Sequence, residues 1–196
     1  FAQYSWLPAS PTAALISNTQ QIYFCRGMNR DDTGGSGSAA TGSMRRLAHE
    51  RKAAEQLDDE HVLDLRPIND DDLRSWRAIL HAPVDGMYKG GYFEVHIQVP
   101  ETYPMKPPTM HFRTRIFHPN VHWKTGEICL DVLKTQWSPA WSLHSACTAV
   151  VALLDSPEAD SPLNVDAANL LRTGDHIAYR SMCAMYTRLY AGTTGP

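Results

Sequence analysis

The chemistry in this sequence gathers around one thiol. Cys129 closes the segment HPNVHWKTGEIC, residues 118 to 129, and a Trp137-Ser138-Pro139-Ala140-Trp141 turn follows it. A cysteine attacks a carbonyl as its thiolate, so its ordinary pKa of about 8.5 must be lowered by a positive neighbour or served by a base. Lys124 and Lys134 are the nearby permanent cations, and His118 is the nearest imidazole in a shared loop. Pro119 fixes the turn directly after His118, which favours a histidine that braces the loop over one that acts as a base. Asn120 is the more informative neighbour. A side-chain amide can donate to the oxyanion formed when a nucleophile attacks a thioester, and one preorganised donor is worth roughly 3 to 4 kcal/mol. The same amide can satisfy loop backbone instead, and the two roles are compatible.

The other cysteines, Cys25, Cys147 and Cys183, form no CxxC pair and no His/Cys cluster with zinc spacing, so no metal site is expected. Cys147 and Cys183 fall at apolar helical positions and read as small, inert core residues. Sparse, scattered cysteines fit a reducing compartment. A net charge of −3 gives no argument for a nucleic-acid partner. No apolar run approaches the roughly 18 residues that span a bilayer. The charge is nevertheless uneven. Arg45, Arg46, His49, Arg51 and Lys52 crowd one helix, ahead of Asp58, Asp59, Glu60 and Asp70 to Asp72, and such a helix is either a solvated face or a docking face.

These residues need a frame to hold them. Residues 1–43 end in Gly34-Gly35-Ser36-Gly37-Ser38, a linker composition, and are expected to be a disordered extension. From Met44 the pattern turns helical, with Met44, Leu47, Ala54 and Leu57 at helical intervals and Ser43 as N-cap. Short strands follow at His61–Leu65, Ser75–His81, Tyr92–Val99 and Thr109–Thr114. In the third, Phe93, Val95, Ile97 and Val99 alternate with Tyr92, Glu94, His96 and Gln98, as in a half-buried antiparallel strand. Ser142 caps a helix whose buried side carries Leu143, Cys147, Val150, Val151 and Leu154, and Ser156-Pro157 stops it. A short helix starts near Asp166. A last one, about Gly174 to Tyr190, is expected to bury Ile177, Met182, Met185 and Leu189 as core filler. One helix, a four-stranded meander and three helices make an α+β domain over 44–192, with a tail at 193–196.

The combination resembles the ubiquitin-conjugating enzyme family, in which a His-Pro-Asn triplet precedes an acceptor cysteine in an Ile-Cys-Leu context and a Trp-Ser-Pro-Ala turn follows. The resemblance implies the fold of that family and a carrier mechanism without metal or organic cofactor. Cys129 would accept ubiquitin from an activating enzyme as a thioester and pass it on with the help of a RING-type ligase. Asn120 would have the family's oxyanion or loop-bracing role. Ligase docking, carried over by position, falls on Arg46 and His49 of the first helix, Met105 in TYPMKPP, and Pro139 with Ala140. Many members have an aromatic residue where Met105 stands, which leaves the choice of ligase open.

Two details are similar to the peroxisomal branch. The loop from His118 to Cys129 has one residue more than the commonest family spacing, and WSPAWSL, PEADSPLN, AANLLRTGD and SMCAMYTRL match that branch in style. It implies recruitment to the cytosolic face of the peroxisome by a membrane-bound partner, with the import receptor as substrate. Many lysine-modifying members place an acidic residue beside the thioester, at the position of Ser161; here the nearest carboxylate is Asp160. Two rivals remain at this point, a general or non-catalytic member of the same fold and a cysteine hydrolase using a histidine. Retention of Cys129, Asn120 and the WSPA turn opposes a non-catalytic member, while a general conjugating enzyme stays open. The hydrolase would release its product to water, whereas a carrier protects its thioester.

Overall fold

Strand β3 (Tyr92–Gln98) lies inside a four-stranded antiparallel meander ordered β1-β2-β3-β4, with β1 at Val62–Asn69, β2 at Asp72–His81 and β4 at Thr109–Phe112. The structure, a computed structural model, describes residues 38–129 and 137–192. The expectations for residues 1–37, for Lys134 and for the tail at 193–196 lie outside the described residues. Helix α1 (Ser38–Ala54) precedes the sheet, and α2 (Leu143–Asp155), α3 (Val165–Arg172) and α4 (His176–Tyr190) follow it. This is the expected α+β arrangement.

The alternation in β3 does the work anticipated for it. Phe93, Val95 and Ile97 are fully buried and stand opposite Leu80, Ala78 and Trp76 of β2, which are buried as well. Those six side chains form the inner face of the sheet, and α2 supplies Leu143, Cys147, Val150, Val151 and Leu154 to the same core. The Ser142 side chain accepts from the amide of Ser145 and caps α2. The outer face carries mutually paired charge instead: Asp64 with Arg66 and Arg77, and Glu94 with Arg77 and His96. Polar-out, apolar-in alternation of this kind suits a sheet covered on one side only.

Three expectations need correction. The first helix starts at Ser38, so Ser43 is not its cap; Ser43 sits one turn before Leu47 on the inward stripe, buried, with its hydroxyl unpartnered. The fourth strand ends at Phe112 rather than Thr114, because the Phe112 amide bonds to Gly126 and the Arg113 amide to Glu94.

The third correction concerns α4, which turns a different face inward. Tyr179, Cys183 and Thr187 are buried, whereas Ile177 is 82% exposed and Leu189 63%, with Met185 also exposed and Met182 half-buried. The helix carries two stripes at helical spacing. The one with hydroxyl and thiol groups wins because those groups find partners beneath it, so their burial leaves no polar atom unpaired.

Candidate active site

Beyond β4 the chain passes through His118-Pro119-Asn120 and then doubles back on itself. Val121 pairs with Ile128 and His111 with Glu127 in isolated antiparallel bridges. The turn depends on Gly126, whose φ of +73° falls where glycine is at ease, and a Cβ there would stand 2.0 Å from the Phe112 carbonyl oxygen. The fold-back ends with the Cys129 amide donating to the Asn120 carbonyl at 2.8 Å. It is this bond that sets the thiol beside the triplet. Cys129 is 7% exposed, while Cys147 and Cys183 are fully enclosed; burial pushes the Cys147 thiol up to about 12 and raises that of Cys183. Both therefore stay as thiols, consistent with inert core roles.

His118 braces the loop. Its Nε2 donates to the Leu153 carbonyl of α2 at 3.0 Å, and its Nδ1 accepts from the Asn120 amide at 3.1 Å. Complete burial pushes its pKa down to about 4, so the ring is neutral with both nitrogens committed. Neither is left to take a proton from Cys129, and a Cys129–His118 hydrolase pair is not assembled here.

Asn120 is equally committed. Its Nδ2 donates to the carbonyls of Glu158 at 2.7 Å and Ser161 at 3.4 Å, and its Oδ1 accepts from the Glu158 amide at 2.8 Å. The Pro119 carbonyl also accepts from the amides of Leu163 and Asn164. The loop between α2 and α3 is thus laced to the triplet, and the lacing brings exposed Asp160 and Ser161 to this end of the molecule. The amide braces this loop as it stands. Serving an oxyanion requires one N–H to be released, and the long contact to Ser161 is the one that gives up least. The Lys124 Nζ lies 4.8 Å from the centre of the Trp123 ring at the tip of the turn.

The positions carried over for ligase docking form a second cluster, and the residue that joins them was not visible as such in the sequence. Glu50 of α1, 6% exposed, accepts from the Tyr103 hydroxyl at 2.6 Å, the Leu143 amide at 2.7 Å and Arg46 Nε at 2.5 Å. Arg46 also donates to the Trp141 carbonyl at 2.9 Å, and Trp137 Nε1 donates to the Pro104 carbonyl at 2.8 Å. One carboxylate therefore ties α1, the TYPMKPP loop and the turn before α2. Arg46 is spent inside this network rather than offered outward. His49, Met105 (72% exposed), Pro139 and Ala140 remain on the surface. A signal for Glu50 did exist, since it follows Leu47 by three residues and precedes Ala54 by four, on the inward stripe of a helix otherwise read as charged.

Comparison with known proteins agrees with this geometry. A family model described as ubiquitin-conjugating enzyme matches residues 46–187. The chain is 52% identical over 145 residues to "Ubiquitin-conjugating enzyme E2 pex4" of Dictyostelium discoideum, covering 74% of this chain and 97% of that one. It is 54% identical over 129 residues to "Protein PEROXIN-4" of Arabidopsis thaliana, covering 65% and 82%. Among solved structures, the Pex4p ubiquitin-conjugating enzyme of H. polymorpha, determined in complex with the soluble domain of Pex22p, superposes with a TM-score of 0.71. That match is 34% identical and covers 76% of this chain and 97% of the other. With its sheet, its His-Pro-Asn segment and its thiol arranged as described, the chain belongs to the ubiquitin-conjugating enzyme family.

Proposed function

We propose that Cys129 is the carrier residue, and that the chain moves ubiquitin onto a cysteine of the peroxisomal import receptor at the cytosolic face of the organelle. The observation that supports the first half is the 2.8 Å bond from the Cys129 amide to the Asn120 carbonyl, which holds the Cys129 backbone against the triplet. Ubiquitin arrives from an activating enzyme as a thioester and moves to Cys129 by exchange. In discharge, the acceptor thiolate attacks the thioester carbonyl, the carbon–sulfur bond to Cys129 breaks, and Cys129 leaves as thiolate and regains a proton. A RING-type ligase assists through the surface of His49, Met105, Pro139 and Ala140, with Arg46 shaping that surface from within.

The peroxisomal half rests on the relatives called peroxin-4 and pex4 and on the Pex4p complex with Pex22p. No described helix is long and apolar enough to cross a membrane; attachment through a membrane-bound partner is supported by the Pex4p complex with Pex22p. The choice of acceptor follows from Ser161. A hydroxyl offers an incoming ammonium neither full charge nor a useful base near neutral pH, while a cysteine acceptor is partly ionised already and intrinsically nucleophilic.

Discharge of the charged enzyme to free cysteine and to free lysine at one pH tests this. Cysteine should react much faster, and Ser161→Asp should raise the lysine rate. Asp160→Ala is the control, because Asp160 is exposed next to Ser161 and is the other candidate for an acidic aid. A lysine rate indifferent to Ser161→Asp but lost in Asp160→Ala would give the role to Asp160 and remove the argument for a thiol acceptor.

A further inference from the structure

Two buried phenols and a thiol converge on the residue that leads into the His118-Pro119-Asn120 segment. Tyr88, in the connection between β2 and β3, donates its hydroxyl to the Phe117 carbonyl at 2.7 Å. The Sγ of Cys183, from α4, lies 3.6 Å from the same oxygen. The Tyr179 hydroxyl, also from α4, is 3.2 Å from that of Tyr88; since the Tyr88 proton is used on Phe117, Tyr179 is the donor of that pair. All three side chains are buried, and burial raises the pKa of each, so all three remain protonated donors.

The neighbouring parts of the segment are held by other means. The His118 ring is fixed at both nitrogens, and the Asn120 amide by its bonds to residues 158 and 161. Neither set fixes the peptide plane between Phe117 and His118. Rotation of that plane would swing the His118 backbone and carry the Asn120 carbonyl, with the Cys129 amide bonded to it, out of register. A carbonyl that accepts from a phenol at 2.7 Å in a dry interior is held against such rotation.

We propose that the Tyr88 hydroxyl, with the Cys183 thiol as second donor, is a positioning group for ubiquitin discharge. By holding the Phe117 carbonyl it keeps the Asn120 amide and the Cys129 thioester in the geometry of attack. The inference rests on Cys129 being the carrier.

The test is single-turnover discharge of charged enzyme over a series of acceptor concentrations, for the wild type, Tyr88→Phe and Tyr179→Phe. Tyr88→Phe should lower the maximal rate about threefold to tenfold, the scale of one lost hydrogen bond, without shifting the half-saturating acceptor concentration. The Asn120 side-chain amide resonances should move in the same variant. Tyr179→Phe loses the hydroxyl–hydroxyl bond but leaves Phe117 bonded, so it should lose comparable thermal stability while keeping its rate within about twofold of wild type. A Tyr88→Phe enzyme that discharges at the wild-type rate, or a Tyr179→Phe enzyme slowed as much, overturns the proposal. If Tyr88→Phe does not fold, Cys183→Ala probes the same carbonyl, and a rate equal to wild type overturns it there. Failure of the wild type to charge at Cys129 would sink the carrier assignment itself, a result distinct from normal charging with no effect at Tyr88.

Discussion

Replacing Glu50 tests whether one buried carboxylate assembles the ligase-facing surface. Glu50→Ala removes the acceptor for the Tyr103 hydroxyl and the Leu143 amide, both buried, and for Arg46 Nε. Each buried donor left unpaired costs about 1–3 kcal/mol. Arg46 adds little, because its side chain is 19% exposed and keeps the Trp141 carbonyl. The sum is about 4 kcal/mol, in line with the ~3–5 kcal/mol for breaking a buried charge pair, and a large share of the ~5–15 kcal/mol that holds a domain together. Glu50→Gln keeps the shape but sets an NH2 group against a donor, so about 1–3 kcal/mol is expected. Urea denaturation gives both values, read as a lower midpoint at unchanged slope. In the folded Gln variant, ligase-stimulated discharge should fall more than unstimulated discharge, since the network joins the three docking segments and leaves the Cys129 loop alone. A Glu50→Gln protein within about 0.5 kcal/mol of wild type would refute the reasoning, because surface substitutions alone reach that size.

Two further outcomes follow from the triplet. The unfolded His118 ring takes a proton near 6.5 and the folded one near 4, so the unfolded chain binds more protons between those values. The stability contributed by the neutral ring is complete above pH 6.5 and falls as the pH drops, by roughly 2 kcal/mol at pH 5; the advantage of wild type over His118→Gln should shrink by that amount between pH 7 and pH 5, and a constant gap in denaturation midpoints would contradict it. Asn120→Ala removes three loop hydrogen bonds and should cost roughly 2 kcal/mol. If the amide also serves the oxyanion, the variant will accept ubiquitin yet discharge it about a hundredfold more slowly; a stable variant with a normal discharge rate would leave bracing as the whole role.

What could be read from the sequence was local pattern, and what could not was partnership. Alternation fixed β3 and its inward residues because its inner face is apolar throughout. Ser142, Leu143, Cys147 and Leu154 behaved as expected because a cap and an apolar stripe agree there. The α4 face was misjudged because Tyr179 and Cys183 are buried through hydrogen bonds to distant residues, which no periodicity registers, and Thr187 beside them satisfies its hydroxyl on the Cys183 carbonyl of the same helix. Glu50 escaped for the same reason: its partners lie 53 and 93 positions away. At the site, the residue types of Cys129, Asn120 and His118 were legible, while the engagement of Asn120 with the 158–161 loop depends on a contact across 38 residues.

The carrier assignment is tested most directly by incubating Cys129→Ser with activating enzyme, ATP and ubiquitin, beside the wild type, Cys147→Ser and Cys183→Ser, and resolving the products with and without a thiol reductant. The wild type and the two core variants should form an adduct that the reductant removes, and Cys129→Ser one that survives it, because an oxyester replaces the thioester. A reductant-sensitive adduct on Cys129→Ser would contradict the account, since the carrier would then be another cysteine.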